Sequence, residues 1–276
     1  MEMNNDSNIV FEIFGVKHSS SENTFEFGNN AVCEINEDQY IKQIVVSADI
    51  SRATFYLQDS LEFTNETISQ VVDYLYDYLG NMMISLLKNN SNYSNVLLKP
   101  TIRLSTICIS GIDKTNIMVK DKLQICDSLV IHKKLGNGND ILKKWVQDVN
   151  ISNYTSKKDK YDVLFLLLQG NNICQKYTAM YAYLMSLVKN INSQSRESQK
   201  QVVQYITQNC SRVGIRLSLS HSTRPGANTA DEEDQFTYLR NQIAHPSVTS
   251  GPINMCENSV NGLASIICCA IEDTPL

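Results

Sequence analysis

The sequence predicts an α+β protein in which a mixed β/α domain over residues 1–135 precedes an all-α domain over residues 139–276. Three observations lead there. The 276 residues are more than one core of ordinary size needs, so about two domains are expected. Hydrophobic periodicity changes along the chain, from short β-branched segments to runs with the three-and-four spacing of helices. Between the two regimes lies Lys133-Lys134-Leu135-Gly136-Asn137-Gly138-Asn139, where two glycines and polar residues punctuate the chain as a linker does. Charge changes with it: residues 1–130 hold 9 Lys/Arg against 17 Asp/Glu, and residues 131–276 hold 15 against 12.

In the first part, residues 9–16, 24–27, 40–46 and 53–57 are β-branched or aromatic segments bounded by Gly, Asn and Ser, and are expected to be strands. Residues 66–87 follow as a long helix, because Ile68, Val71, Val72, Leu75, Leu79, Met82, Met83 and Leu86 fall on one face and Thr64 or Asn65 stands ready as cap. Residues 101–109, 117–120 and 123–131 return to strand character. In the second part, residues 140–149, 157–169, 173–191, 197–210, 231–245 and 254–272 have helical spacing, and only 214–219 is strand-like.

Composition excludes several classes. At 42% hydrophobic and 19% charged residues, the chain is neither disordered nor fibrous. The apolar run from Val163 to Leu168 is far short of the roughly 20 residues of a membrane span. The start, MEMNNDSNIV, lacks the basic and apolar regions of a secretory signal, so a cytoplasmic protein without membrane contact is expected. The eight cysteines are scattered, form no CxxC and are expected to be reduced, mostly buried thiols. There is no HExxH, no EF-hand loop, no phosphate-cradling glycine loop and no GxSxG elbow, and neither a metal nor a cofactor is expected.

One stretch carries chemistry: Asp231 to Pro246, DEEDQFTYLRNQIAHP. Thr229 and Glu232 have capping-box spacing, and the four acids suit the positive end of a helix dipole. Phe236, Leu239 and Ile243 mark the anchored face, and Pro246 ends the helix. Asn241 and His245 are four residues apart and Arg240 flanks them, so the three are expected to meet at one exposed cleft. A cation, an amide and an imidazole suit a phosphodiester.

Arg240-Asn241-Gln242-Ile243-Ala244-His245 resembles the RNxxxH motif, more generally Rx4–6H, of the HEPN family of all-helical nucleotide-binding and ribonuclease domains, and the resemblance extends over the helical residues 139–276. It implies a homodimer whose two motifs share a cleft and cut RNA without a metal, and many such proteins are toxins or effectors of antiviral abortive infection. In that chemistry RNA supplies its own 2′-hydroxyl nucleophile. His245 would move the proton, Arg240 would hold the phosphate and Asn241 would orient one of them. Seven arginines and four histidines in 276 residues give by chance roughly 0.1 pairs at this spacing. A second pair exists, Arg216 with His221, but it lacks the asparagine and lies in an extended segment. Some family members carry a tyrosine two residues past the histidine, where this chain has Ser247.

Blander uses of the same residues stand beside these. Arg240 can bond acids of a neighbouring helix, and His245 can cap carbonyls at the end of its own. The corresponding alternative function is a non-catalytic HEPN-like dimer that binds a nucleotide or a protein. Residues 1–135 have no assigned role beyond that of a possible sensor or regulatory domain with an unknown ligand. Trp145 is expected to anchor the helix after the linker, Tyr177, Tyr181 and Tyr183 to serve core and interface, and Lys143-Lys144 and Lys157-Lys158-Lys160 to be solvated faces.

Overall fold

The structure is a computed structural model that describes residues 7–14, 23–89, 100–109, 131–134, 137–170, 172–222, 232–244 and 252–275. It is mixed α+β, with a five-stranded antiparallel sheet and, among the described residues, eight helices. None of these helices is long and apolar enough to cross a membrane. Two units result, Met1–Met83 with Lys99–Ile151, and Ile84–Leu98 with Ser152–Leu276. By contacts the division therefore falls at 151–152, not at the expected 135–139.

In the first unit the strands β1 (Asn8–Phe14), β3 (Ala31–Glu34), β4 (Ile41–Val46), β5 (Arg52–Leu57) and β6 (Thr101–Cys108) form a sheet in the order β3-β4-β5-β1-β6. Period-two alternation puts Ile9, Phe11 and Ile13 of β1 and Ala53, Phe55 and Leu57 of β5 on one buried face. Helix α1 (Asn65–Asn89) starts at Thr64, whose Oγ1 accepts the Thr67 amide at 3.1 Å, and its Tyr76 and Tyr78 meet Phe11 and Phe55 edge to face.

The presumed linker is structured on both sides of residues 135–136. Ile131–Lys134 is β7, parallel to β2 (Asn23–Glu26), and Asn137 caps α2 (Gly138–Gln147) by accepting the Asn139 amide at 3.1 Å. Helix α2 belongs to the first unit because three contacts tie it to β3 and to Phe27 ahead of that strand. Trp145 packs against Phe27 with tilted rings 5.4 Å apart, Asn139 Oδ1 accepts the Val32 amide at 2.8 Å, and Gly138 lies so close that a Cβ there would be 2.6 Å from Phe27 Cβ. A linker signature of glycine and asparagine was thus produced by a cap and a close approach. The expected strand at 117–120 lies outside the described residues, as does most of that at 123–131.

The second unit is built around α8 (Pro252–Asp273), which is buried on every side from Val260 to Ile271. A helix with no polar face must be surrounded. Around it are the end of α1, whose Leu87 carbonyl accepts from Ser265 Oγ at 2.7 Å, and α4 (Lys158–Gln169), α5 (Ile173–Ile191), α6 (Gln199–Asn209) and α7 (Gln235–Ala244). The short α3 (Ile151–Ser156) was not foreseen. Nor is the unit all-α, since β8 (Leu219–His221) pairs antiparallel with β9 (Glu232–Asp234). The seven described cysteines are free thiols.

Trp145 is 1% exposed, so Trp145→Ala should destabilise the first unit by about 3–5 kcal/mol, measured by urea unfolding. A loss below about 1 kcal/mol would show that α2 does not depend on this anchor.

Candidate active site

The helix bearing the motif does not begin as the sequence suggested. Glu232 to Asp234, expected as its first turn, form β9, and α7 has no acid in its first turn; Thr229, the expected cap, lies outside the described residues. Asp234 is the cap. Its Oδ1 accepts the Phe236 and Thr237 amides at 2.8 and 3.0 Å, and its Oδ2 accepts the Thr237 hydroxyl at 2.6 Å. Because that hydroxyl donates to Asp234, it accepts from Tyr181 Oη at 2.7 Å, while Tyr177 Oη donates to the Phe236 carbonyl at 3.1 Å. Both tyrosines belong to the core, as expected, and burial raises their hydroxyl pKa values. Burial likewise pushes the Asp234 carboxyl above the ordinary carboxylate range, against the pull of its donors. On the other side, Phe236 rests on Gly262 of α8, where a Cβ would lie 3.1 Å from the ring.

Glu233, beside the cap, is 2% exposed. Both its oxygens accept from Asn241 Nδ2, at 3.0 and 2.9 Å, and Oε1 also accepts from the Ser222 hydroxyl. Asn241 is itself 1% exposed and turns its Oδ1 to Arg240 Nη1 at 2.9 Å. The asparagine therefore points into the protein and not into an exposed cleft. It joins a buried carboxylate to the guanidinium of a half-buried arginine. Arg240 uses one of its five N–H donors in this bond, and among the described residues it has no other hydrogen-bond or ion-pair partner. Its positive charge reaches the Tyr181 hydroxyl and opposes the upward push of burial there.

The structure thus brings Arg240 and Asn241 together, whereas His245 lies outside the described residues, next to the exposed Ala244 that ends α7. The second pair remains apart from this network: Arg216 and His221 are exposed, and His221 stands opposite Glu232 in the β8–β9 ladder. Gln235 holds this segment to the start of α7, accepting the Ser218 amide at 2.8 Å and donating to the Arg216 carbonyl at 3.1 Å. Glu233 and Asp234 were missed as individual actors. The available signal was an Asp with Thr three residues on, which suits an N-cap. No group of three or more His, Cys, Asp or Glu that could hold a metal occurs among the described residues.

Compared with known proteins, the chain matches no family model, no curated protein and no solved structure.

Glu233 and Asn241 should be coupled. Glu233→Gln and Asn241→Ala are each expected to lower stability to urea, with the double variant sparing at least roughly 1 kcal/mol of the summed losses; additive losses would mean the two side chains act separately. Asn241→Asp sets one carboxylate against another, so its destabilisation should be largest near neutral pH. It should ease in acid, where a proton on the introduced carboxyl removes the repulsion.

Proposed function

We propose that this protein is a metal-independent endoribonuclease of HEPN type, acting in the cytoplasm as a homodimer through its helical unit and leaving 2′,3′-cyclic phosphate and 5′-hydroxyl ends. The observation that carries the reading is Arg240, fixed by Asn241 beside the end of α7 with four N–H donors that meet no partner among the described residues, in the sequence Arg-Asn-x-x-x-His. A guanidinium held on one side and open on the other suits a phosphodiester, whose charge rises in the pentacoordinate state. His245 supplies the proton transfer, and the second copy in the dimer supplies the complementary acid or base. Asn241 acts through Arg240, in place of the direct contact with imidazole or phosphate expected from sequence. RNA destruction of this kind suits a toxin or an effector of antiviral abortive infection.

A second reading has a specific observation in its favour. Asn241 is buried and bonded to Glu233, so the motif's amide serves the fold whether or not RNA is cut, and the protein would then be a HEPN-like binding module.

Cleavage of RNA by the purified protein in EDTA separates them. Arg240→Ala and His245→Ala should each reduce cleavage at least ~100-fold, His221→Ala should leave it nearly intact, and DNA of the same sequence should survive. Cleavage that EDTA abolishes, or that depends on His221 and not His245, overturns the nuclease proposed here. A folded dimer that binds nucleotide yet cuts nothing supports the second reading.

A further inference from the structure

In the second unit the C-terminal ends of α5 and α8 and the first turn of α4 border an open cavity of about 340 Å³. Its walls are fixed by backbone bonds. After α5 ends, Ser193 takes a left-handed backbone (φ 50°), and the Gln194 amide returns to the Lys189 carbonyl at 3.0 Å. Such a closure normally uses glycine, and here it folds the Ser193 and Gln194 side chains back beside Lys189 and Asn190. The end of α8 is closed by Thr274, which is 4% exposed and whose hydroxyl donates to the Ile271 carbonyl at 2.7 Å. Lys160 completes the wall, with its carbonyl held by the Tyr183 hydroxyl at 2.8 Å.

The charges around this cavity do not cancel. Two acids close α8, and both are committed elsewhere. Glu272 takes Lys88 Nζ at 2.8 and 3.0 Å, and Asp273 takes Arg212 Nη1 and the Tyr205 hydroxyl, each at 2.6 Å. Lys157, beside Lys160, donates to the Glu272 main-chain carbonyl. That leaves the half-buried Lys160 and Lys189, whose side chains have no hydrogen bond or ion pair among the described residues. Burial and then the charge of Lys160 lower the pKa of Lys157, while Glu272 and Asp273 act the other way.

We propose that this cavity binds the phosphate monoester of a small polar molecule, with Lys160 and Lys189 taking the phosphate and the Asn190, Ser193 and Gln194 side chains taking the hydroxyls or amides of the remainder. Lys160 and Lys189 line the same cavity, and a dianion can accept charge-assisted hydrogen bonds from two ammonium groups at once. The volume is at the lower end of small-molecule sites, enough for a sugar phosphate or a mononucleotide. The proposal does not depend on nuclease activity.

Calorimetric titration of the full chain tests it, with inorganic phosphate, ribose 5-phosphate, adenosine 5′-monophosphate and uncharged adenosine as separate probes. Saturable binding of a phosphate monoester with Kd below about 1 mM, weakening with salt, is expected, and adenosine should not bind. A preference for ribose 5-phosphate or for the nucleotide tells whether the base is recognised. Lys160→Gln with Lys189→Gln, which keeps side-chain bulk, should weaken binding at least about tenfold with the thermal transition unchanged, whereas Lys200→Gln on α6 should not. Arg240→Ala must retain binding. No saturable binding by any phosphate probe, affinity unchanged in the double variant, or loss with Arg240→Ala alone each overturns the proposal, the last by moving the phosphate to the motif.

Discussion

Two adjacent carboxylates, Glu233 and Asp234, are buried at the junction of β9 and α7, and a buried carboxylate needs hydrogen bonds from several donors. Much around the motif follows from that requirement. Asp234 is satisfied by the first free amides of α7 and by Thr237, which sets where the helix starts. Glu233 is satisfied by Asn241 and Ser222, which sets its rotation, because the residue two turns along must face inward. With Asn241 turned inward, the half-buried Arg240 lies at the edge of the buried region, where among the described residues one bond holds it.

The same helix is gripped from the other side by apolar packing. Since α8 is buried all round from Val260 to Ile271, its neighbours pack closely against it there, and Gly262 leaves room for Phe236. Hydrophobic burial brings α7 to α8 without choosing its rotation, for it is non-directional. The directional choice comes from Asp234, Glu233 and the two tyrosine hydroxyls. Apolar area and polar satisfaction therefore do different work on one ten-residue helix, too short to be stable alone in water.

How legible this was in the sequence depended on the strength of local periodicity. The predicted bounds of α5, 173–191, coincide with the observed helix, and α1 and α8 differ by no more than two residues at either end, because long apolar stripes dominate local alternatives. Strands β3 and β9 were not legible. β3 is four residues long, and β9 consists of three acids, a composition poor in strand formers that is stabilised by pairing with β8 and by the side-chain bonds of Glu233 and Asp234. The linker was misread because glycine and asparagine serve caps and close approaches as well as loops. At the motif, Arg240 and Asn241 were found by residue type and spacing, but the inward turn of Asn241 was hidden. Spacing reports which residues share a face and leaves open which face is buried.

The chemistry of the link between Glu233 and Arg240 also bears on what Arg240 can do. Had the guanidinium met Glu233 directly, the pair would have attracted each other by about 4 kcal/mol at 4 Å in a partly solvated setting, and a phosphate would have had to compete with that carboxylate. Asn241 separates them. Its NH2 group donates to Glu233 and its carbonyl accepts from Arg240, fixing the guanidinium's direction, while an amide carries no net charge. Orientation is passed from the buried acid to the arginine and neutralisation is not. A lysine at position 240 would keep the charge and lose the planar fork that makes a held orientation useful, and an aspartate at 241 would keep a partner for the arginine and place its own charge against it. For an arginine that is to meet a phosphodiester, an asparagine between it and the buried carboxylate is the arrangement that leaves the positive charge open.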